Sequence, residues 1–232
     1  MPEPVRPSLT AMVGAATRLL AEAGVPSPRH DAVAIAAHLL DLPTLSLVTV
    51  GELPDGFDAR FAQAVDRRRR REPLQHILGV TTFRHVTLAV EPGVFVPRPE
   101  TEVLAGLAVD EVRALAAAGG TPLVVDLCCG AGPIGVSVAV ESGARVVMVD
   151  RSAQAVELTA RNAAANDRPQ VQVLVGDVRD PGLLAELTGR VDVLAANPPY
   201  IPPDAEPVDP EVRDHDPDLA LYGGGPDGLD LP

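Results

Sequence analysis

Several residue types are absent or scarce in this 232-residue chain. It contains no lysine, so its 19 basic residues are all arginines, and 32 acidic residues leave a formal net charge of −13. It also contains no tryptophan, and aromatic residues make up only 3% of the chain. A protein that grips nucleic acid needs positive charge for the phosphates and aromatic rings for the bases. Direct nucleic-acid binding is therefore not expected.

Cysteines and long apolar runs are also scarce. The two cysteines, Cys128 and Cys129, are adjacent, and a disulfide between neighbours would strain the intervening peptide. Neither they nor the five scattered histidines have the spacing of metal ligands, so no metal site is expected. No apolar run reaches 18 residues, and residues 1–7 lack the features of a signal peptide. We expect a cytoplasmic protein without a membrane span.

Residues 1–75 show the apolar spacing of amphipathic helices. Ser8 to Ala23 is one such stretch, Ser27-Pro28 begins a second, and a third ends in the arginine run 67–71. We interpret this run as a solvated helix end rather than a nucleic-acid contact, because positive charge is favoured near a helix C-terminus. The apolar segment 45–50 is ambiguous between helix and strand. A small helical bundle is predicted.

A β-hairpin linker is predicted over residues 76–98. Residues 83–90 alternate between apolar and polar side chains, 91–93 read Glu-Pro-Gly and form a turn, and 94–96 continue as the second strand. Pro99 and the two glutamates that follow then favour the first turn of a helix. The hairpin would thus connect the bundle to the remainder of the chain.

Strands and helices alternate from Leu123 onward. Alternating units of this length predict a parallel sheet with right-handed crossovers. The predicted strands are 123–127, 145–150, 171–175 and 191–196.

Glycines and acids follow the first three of these strands. Gly130-x-Gly132 lets the backbone approach a ligand at a helix N-terminus, although this signal is weak by itself. Asp126 lies in the strand before that turn. Asp150 ends the second strand about 20 residues after the glycines, where an acid binds ribose hydroxyls. Gly176-Asp177 ends the third, where an acid can accept from an exocyclic amine. Together these residues predict a nucleoside pocket.

The fourth strand runs directly into Asn197-Pro198-Pro199-Tyr200. Because proline cannot donate to a strand ladder and disfavours helix before it, the strand must stop at Asn197. The Asn197 side-chain oxygen and the Pro198 carbonyl can each accept one N–H of a planar NH₂ group, with Tyr200 packed against its face. In isolation this segment could be an ordinary proline-rich turn. A nicotinamide dehydrogenase would share the glycine turn and the ribose acid, but it would not need this amino clamp.

These features together resemble the peptide chain release factor N5-glutamine methyltransferases, which are class I S-adenosylmethionine-dependent methyltransferases. The family plan is a helical bundle, a hairpin linker and a Rossmann-like domain. The resemblance implies domains at 1–75 for substrate recognition, 76–98 as linker, and 99–232 for S-adenosylmethionine binding and methyl transfer. The matching segments are Arg71 to Gly79, Val96 to Glu102, Asp126 to Gly132, Asn197 to Tyr200, and Leu219 to Asp230.

The resemblance also implies site residues and a cofactor. Cys128 stands where the family usually has glycine, and cysteine does not easily adopt a positive φ, so we expect the turn to differ or to stay right-handed there. Asn197, Pro198 and Tyr200 would be catalytic, and together with Pro199 they would hold the substrate amide. The residues implied to bind S-adenosyl-L-methionine are Asp126, Cys128, Cys129, Gly130, Ala131, Gly132, Asp150, Asp177, Val178 and Asn197.

The implied activity is methyl transfer to the side-chain amide nitrogen of a glutamine in a release factor, which would be the protein partner. Two alternatives remain open: a methyltransferase of exocyclic amines in nucleic acid, and a truncated, catalytically impaired cofactor-binding homologue. The second arises because class I methyltransferase sheets have more strands than the four predicted here. We expect a sheet truncated after its fourth strand, with 191–196 as an unprotected edge.

Overall fold

The computed structural model describes residues 7–42 and 50–231. Contacts divide the chain into two compact units, Met1–Leu78 and Gly79–Pro232. Apart from Val50, the ambiguous segment 45–50 lies outside the described residues. Within the described ranges, every helix is too short or too polar to cross a lipid bilayer.

The first unit is a helical bundle. Its elements are α1 (Leu9–Glu22), α2 (Pro28–Leu39), α3 (Phe57–Arg69) and α4 (Leu74–Leu78). Ser8 caps α1, as its hydroxyl accepts a hydrogen bond from the Ala11 N–H. Leu20, Ile35 and Phe57 are fully buried in the core between these helices. The predicted bundle is confirmed, and α4 is a helix that the sequence pattern does not reveal.

The arginine run at the end of α3 is bound up in ion pairs. Arg68 is only 4% exposed, and its Nε donates to Asp31 Oδ2 at 2.7 Å. Arg67 Nε donates to Glu72 Oε2 at 2.8 Å, and the two arginines after Arg68 both pair with Asp66. The interpretation of the run as a solvated helix end is therefore wrong for Arg68, which joins α3 to α2.

The second unit begins with an antiparallel hairpin of β1 (Val80–Phe83) and β2 (Val86–Ala89). The predicted turn at 91–93 is present, and the Val94 N–H donates to the Glu91 carbonyl there at 3.2 Å. Its predicted place between the hairpin strands is wrong, because the chain reverses between Phe83 and Val86 and residues 94–96 form no strand. Only Phe83 of β1 is buried, so this strand lacks the apolar alternation that would have indicated it.

A parallel sheet with helices fills most of the second unit. Its strands lie in the order β5-β4-β3-β6, so β3 is flanked by β4 and β6. The predicted fold class is confirmed: an α/β protein with a Rossmann-like parallel sheet that a helical bundle and a hairpin precede in sequence. The elements are α5 (Thr101–Ala117), β3 (Leu123–Leu127), α6 (Pro133–Ser142), β4 (Arg145–Asp150), α7 (Ala153–Ala165), β5 (Gln172–Val175), a 3₁₀ helix (Ala185–Leu187), β6 (Val193–Ala196), α8 (Pro210–His215) and α9 (Asp218–Leu221).

Strand β6 forms one edge of this sheet. It pairs with β3 through registers such as Val125↔Leu194, and no strand within 197–231 pairs with its other side. Leu194 is 63% exposed, whereas Ala195 faces the core. An edge strand of this kind leaves backbone donors and acceptors open to a further strand.

A buried amide on α7 connects the hairpin to the sheet. The Asn162 Oδ1 accepts the Ala89 N–H at 2.8 Å, and its Nδ2 donates to the carbonyls of Ala89 at 3.1 Å and Ala131 at 2.9 Å. Asn162 is 1% exposed, so these bonds satisfy a buried polar group. They hold β2 against the loop that follows β3.

Candidate active site

A cavity of about 560 Å³ opens at the carboxyl ends of the parallel strands. From β3 the chain crosses to β4 and β5 on one side and returns to β6 on the other. In open α/β sheets such a change of direction creates a crevice where ligands bind. The volume lies within the range of about 300–1,000 Å³ that is typical of small-molecule sites.

Most of the predicted site residues line this cavity, but Asp126 and Gly132 do not. Residues that the sequence reasoning missed also line it, chiefly Phe95, Arg98 and Leu104 before β3 and Leu221 after β6. Arg98 and Leu221 lie in the segments 96–102 and 219–230, whose resemblance to family motifs is the sequence signal that could have identified them. The predicted residues in the wall are Cys128, Cys129, Gly130, Ala131, Asp150, Asp177, Val178, Asn197, Pro198, Pro199 and Tyr200.

The loop after β3 turns through left-handed backbone conformations. Cys128 has a φ of 57°, Gly130 also 57°, and Gly132 85°. The expectation that the turn avoids positive φ at Cys128 is therefore wrong. Backbone bonds hold this loop in place, since the Cys129 N–H donates to the Val149 carbonyl at 3.0 Å. The loop thus keeps a conformation that is uncommon for a residue other than glycine.

Asp150 joins this loop to the start of α7. Its Oδ2 accepts the Gly130 N–H at 2.8 Å, and its Oδ1 accepts the Ser152 N–H at 2.9 Å. Each carboxylate oxygen has a second lone pair, so both can accept from a ligand hydroxyl as well. The carboxylate is held rigidly at the cavity wall, in the position suited to a pair of ribose hydroxyls.

Asp126 lies beneath the loop and is fully buried. Its Oδ2 accepts the Gly135 N–H at 2.8 Å, while no described residue hydrogen-bonds its Oδ1. Burial is the main cause that raises the pKa of this carboxyl to about 7; the Gly135 bond opposes the rise, and the charge of Asp150 adds a smaller contribution to it. Asp126 supports the N-terminal turn of α6 rather than lining the cavity.

Gly132 lies at the N-cap position of α6 and packs against α7. A Cβ at this position would lie 2.9 Å from Thr159 Cγ2, and its positive φ disfavours any L side chain. The Thr159 hydroxyl in turn donates to the Gly130 carbonyl at 2.7 Å. These contacts fix the loop against α7, so Gly132 shapes the cavity without facing it.

Asp177 lines the cavity at the end of β5. Arg179 donates to its carboxylate from Nε at 3.0 Å, from Nη2 at 2.6 Å and from its backbone N–H at 3.0 Å. These bonds, with the nearby Arg151, hold the pKa of Asp177 far below its ordinary value. The carboxylate therefore stays ionised, and part of its capacity to accept hydrogen bonds is already used.

Asn197 and Tyr200 are open to the cavity at the end of β6. Asn197 is exposed, and within the described residues its side chain has no hydrogen-bond partner. Tyr200 is 64% exposed, whereas Pro199 between them is buried. The Asn197 amide is thus free to bind a ligand, and a buried proline anchors the segment.

Comparison with known proteins agrees with this geometry. Residues 12–79 match the family described as PrmC N-terminal domain, and residues 87–208 match the Methyltransferase small domain. The release factor glutamine methyltransferase of Streptomyces coelicolor is 48% identical over 226 residues, which cover 96% of this chain and 76% of that protein. Its counterpart from Mycolicibacterium smegmatis is 45% identical over 222 residues, which cover 95% of this chain and 75% of that protein. The chain belongs to the release factor glutamine methyltransferase family.

This methyltransferase carries no reactive thiol at its site. Burial raises the pKa of Cys128 to about 11 and raises that of Cys129 further. Both side chains are therefore protonated at neutral pH, and neither is a nucleophile. In the part of the chain that the structure describes, no cluster of His, Cys, Asp or Glu is arranged to hold a metal ion.

Proposed function

We propose that this methyltransferase transfers a methyl group from S-adenosylmethionine to the side-chain amide nitrogen of a glutamine in a peptide chain release factor. One observation carries the proposal: Asp150 and the segment Asn197 to Tyr200 line the same cavity. An acid suited to ribose hydroxyls and a clamp suited to an amide thus face one enclosed space. The relatives named above are release factor glutamine methyltransferases.

The residues around the cavity fit S-adenosylmethionine. Asp150 offers acceptors for the ribose hydroxyls, while the apolar side chains of Phe95, Ile134 and Leu221 provide a surface for the adenine ring. When bound there, S-adenosylmethionine supplies an electrophilic methyl group. The loop 128–131 and Val178 complete the wall around it.

The chain's own residues orient the substrate amide. The Asn197 oxygen and the Pro198 carbonyl accept the two N–H groups, so that the nitrogen lone pair points towards the methyl group. These acceptors also stabilise positive charge as it develops on the nitrogen. The exposed Tyr200 ring packs beside the amide plane. Since a methylated amide loses its proton readily, no general base is required, and among the described residues the lining contains no histidine.

The helical unit, residues 1–78, is proposed to recognise the release factor. It has a core of its own, and none of the described cavity residues belongs to it. A fragment of residues 79–231 should bind S-adenosylmethionine with the affinity of the full chain and fail to methylate a folded release factor. Equal turnover of that substrate by the fragment would refute this role.

A methyl-transfer assay tests the activity itself. The full chain, with cofactor carrying a tritiated methyl group, is offered a release factor, DNA or ribosomal RNA. We expect label only in the release factor, with the methyl group on a glutamine by mass spectrometry. Label in DNA or RNA instead would favour the nucleic-acid alternative.

An Asn197→Ala variant tests the clamp. It should lose methyl transfer while cofactor affinity stays within about tenfold, because the amide acts mainly on the substrate. Gln170→Ala, which truncates an exposed amide outside the cavity, is the matched control and should keep full activity. Retention of most turnover by Asn197→Ala would contradict the clamp.

A further inference from the structure

The segment after α9 lies directly against the clamp, although the proposed mechanism assigns it no part. The Ile201 N–H donates to the Leu221 carbonyl at 2.8 Å, and the Gly223 N–H donates to the Ile201 carbonyl at 3.1 Å. Ile201 and Tyr222 thereby form an isolated parallel bridge. We call residues 222–228 the glycine strap, since four of these seven residues are glycines.

Two glycines of the strap leave no room for a side chain. A Cβ on Gly223 would lie 1.9 Å from the Gly228 carbonyl oxygen and 2.7 Å from the Pro199 carbonyl oxygen. A Cβ on Gly228, whose φ is 77°, would lie 2.5 Å from the Tyr200 carbonyl oxygen. All three contacts are with backbone atoms, so a methyl group could be accommodated only by moving the strap or the clamp.

The chain just before the strap is anchored separately. The Asp216 side chain is fully buried and pairs with Arg98, whose guanidinium lies 4.8 Å from the Phe95 ring centroid. Arg98 and Phe95 both line the cavity. The chain that leads into α9 and the strap is thus held to two residues of the cavity wall.

We propose that Gly223 and Gly228 are positioning residues, which set the place of the clamp relative to the methyl donor. The proposal rests on the function proposed above and deepens it. A Cβ at either position would collide with the carbonyl of Pro199 or Tyr200, while the Asn197 side chain stays open to substrate. A shift of the clamp by about 1 Å can reduce the rate of an oriented reaction by about 100-fold.

Gly223→Ala and Gly228→Ala test this role against matched controls. The controls are Gly119→Ala and Gly189→Ala, at glycines of the second unit with φ of 91° and 71° that lie outside the cavity lining, and neither has an atom within 4 Å of the new Cβ. For the two strap variants we expect kcat on a release factor to fall by about 10–100-fold. The KM for the release factor and the affinity for S-adenosylmethionine should stay within about threefold, and the controls should match the wild type.

A spectroscopic signal separates positioning from activity. Tyr200 in the clamp and Tyr222 in the strap are the only two tyrosines of the chain. In protein labelled with 3-fluorotyrosine, ¹⁹F NMR should give one resonance from Tyr200 and one from Tyr222. We expect both strap variants to shift the Tyr200 resonance, and neither control to do so. If the wild type fails to methylate a release factor, the proposed function fails, while the resonances still report whether the strap positions the clamp.

Three results would overturn the proposal: an unchanged Tyr200 resonance in both strap variants, a shifted resonance with unchanged kcat, or a loss of cofactor affinity that equals the loss of kcat. Should the strap variants fail to fold, Asp216→Asn loosens the anchor to Arg98 without adding an atom to the strap. It should give a smaller fall in kcat with the same constancy of KM, and wild-type kcat in that variant would also refute the role.

Discussion

Replacing Asp126 by asparagine should remove a pH dependence of folding stability. The carboxyl is fully buried, one of its oxygens has no partner within the described residues, and burial raises its pKa from 3.8 to about 7. The folded state therefore holds this proton more tightly than the unfolded state does. The stability contributed by the protonated carboxyl is complete below pH 3.8, and it is lost as the pH rises towards 7.

The size of the effect follows from the two pKa values. The interval between 3.8 and about 7, at about 1.36 kcal/mol per pH unit, corresponds to about 4 kcal/mol. In Asp126→Asn the amide oxygen can still accept the Gly135 N–H, and no charge forms at any pH. The free energy of unfolding of the variant minus that of the wild type should therefore rise by up to about 4 kcal/mol between pH 4 and pH 8.

Urea unfolding at a series of pH values measures this difference. Tyrosine fluorescence is a suitable probe, because Tyr200 and Tyr222 both lie in the second unit and the chain has no tryptophan. Any cost of the new amide group that does not depend on pH cancels from the slope. The control is Asp110→Asn, whose side chain is 79% exposed and should show no such rise. A difference for Asp126→Asn that stays constant from pH 4 to pH 8 would refute the reasoning.

Three further substitutions test the site, the bundle and the sheet edge. Asp150→Ala should weaken S-adenosylmethionine binding by about 1–3 kcal/mol in calorimetry, because ribose hydroxyls would lose their acceptor, and unchanged affinity would place the nucleoside elsewhere. Arg68→Met leaves the Asp31 carboxylate buried without its arginine partner, and we expect the free energy of unfolding to fall by about 3–5 kcal/mol. Unfolding followed by far-UV circular dichroism measures this fall. Arg69→Ala, at a half-exposed arginine, is the control and should cost about 0.5 kcal/mol or less. Leu194→Lys places a charge on the exposed edge of β6 and should leave stability unchanged. Any self-association of the wild type in sedimentation should fall in this variant, and unaltered association would argue against the edge as its cause.

Much of the sheet could be predicted from local pattern. The strand at Leu123–Leu127 was predicted with its observed bounds, because an apolar run that ends in a glycine turn permits few other structures. Ser152 caps α7 through a bond from the Ala155 N–H, as a serine before an apolar-periodic stretch indicates. Local chemistry was also enough to place Asn197 at a strand end. The hairpin shows the limit of such patterns, since β1 has a single buried side chain and pairing across the turn decided its register.

Contacts between distant parts of the chain decided the rest. No local pattern distinguishes Arg68 from its neighbours, because its burial depends on Asp31, 37 residues away. Asp126 is buried because β3 lies between β4 and β6, and the loop at Cys128 is held by the bond from the Cys129 N–H to the Val149 carbonyl of β4. The sequence alone therefore determined the family, the parallel sheet and the residues that meet at its carboxyl edge. Only the tertiary structure decided which of those residues face the cavity and which lie beneath it. It also decided that the glycine strap lies against the clamp. Burial and close packing could not be read from the sequence, because they depend on chain segments that are far apart in it.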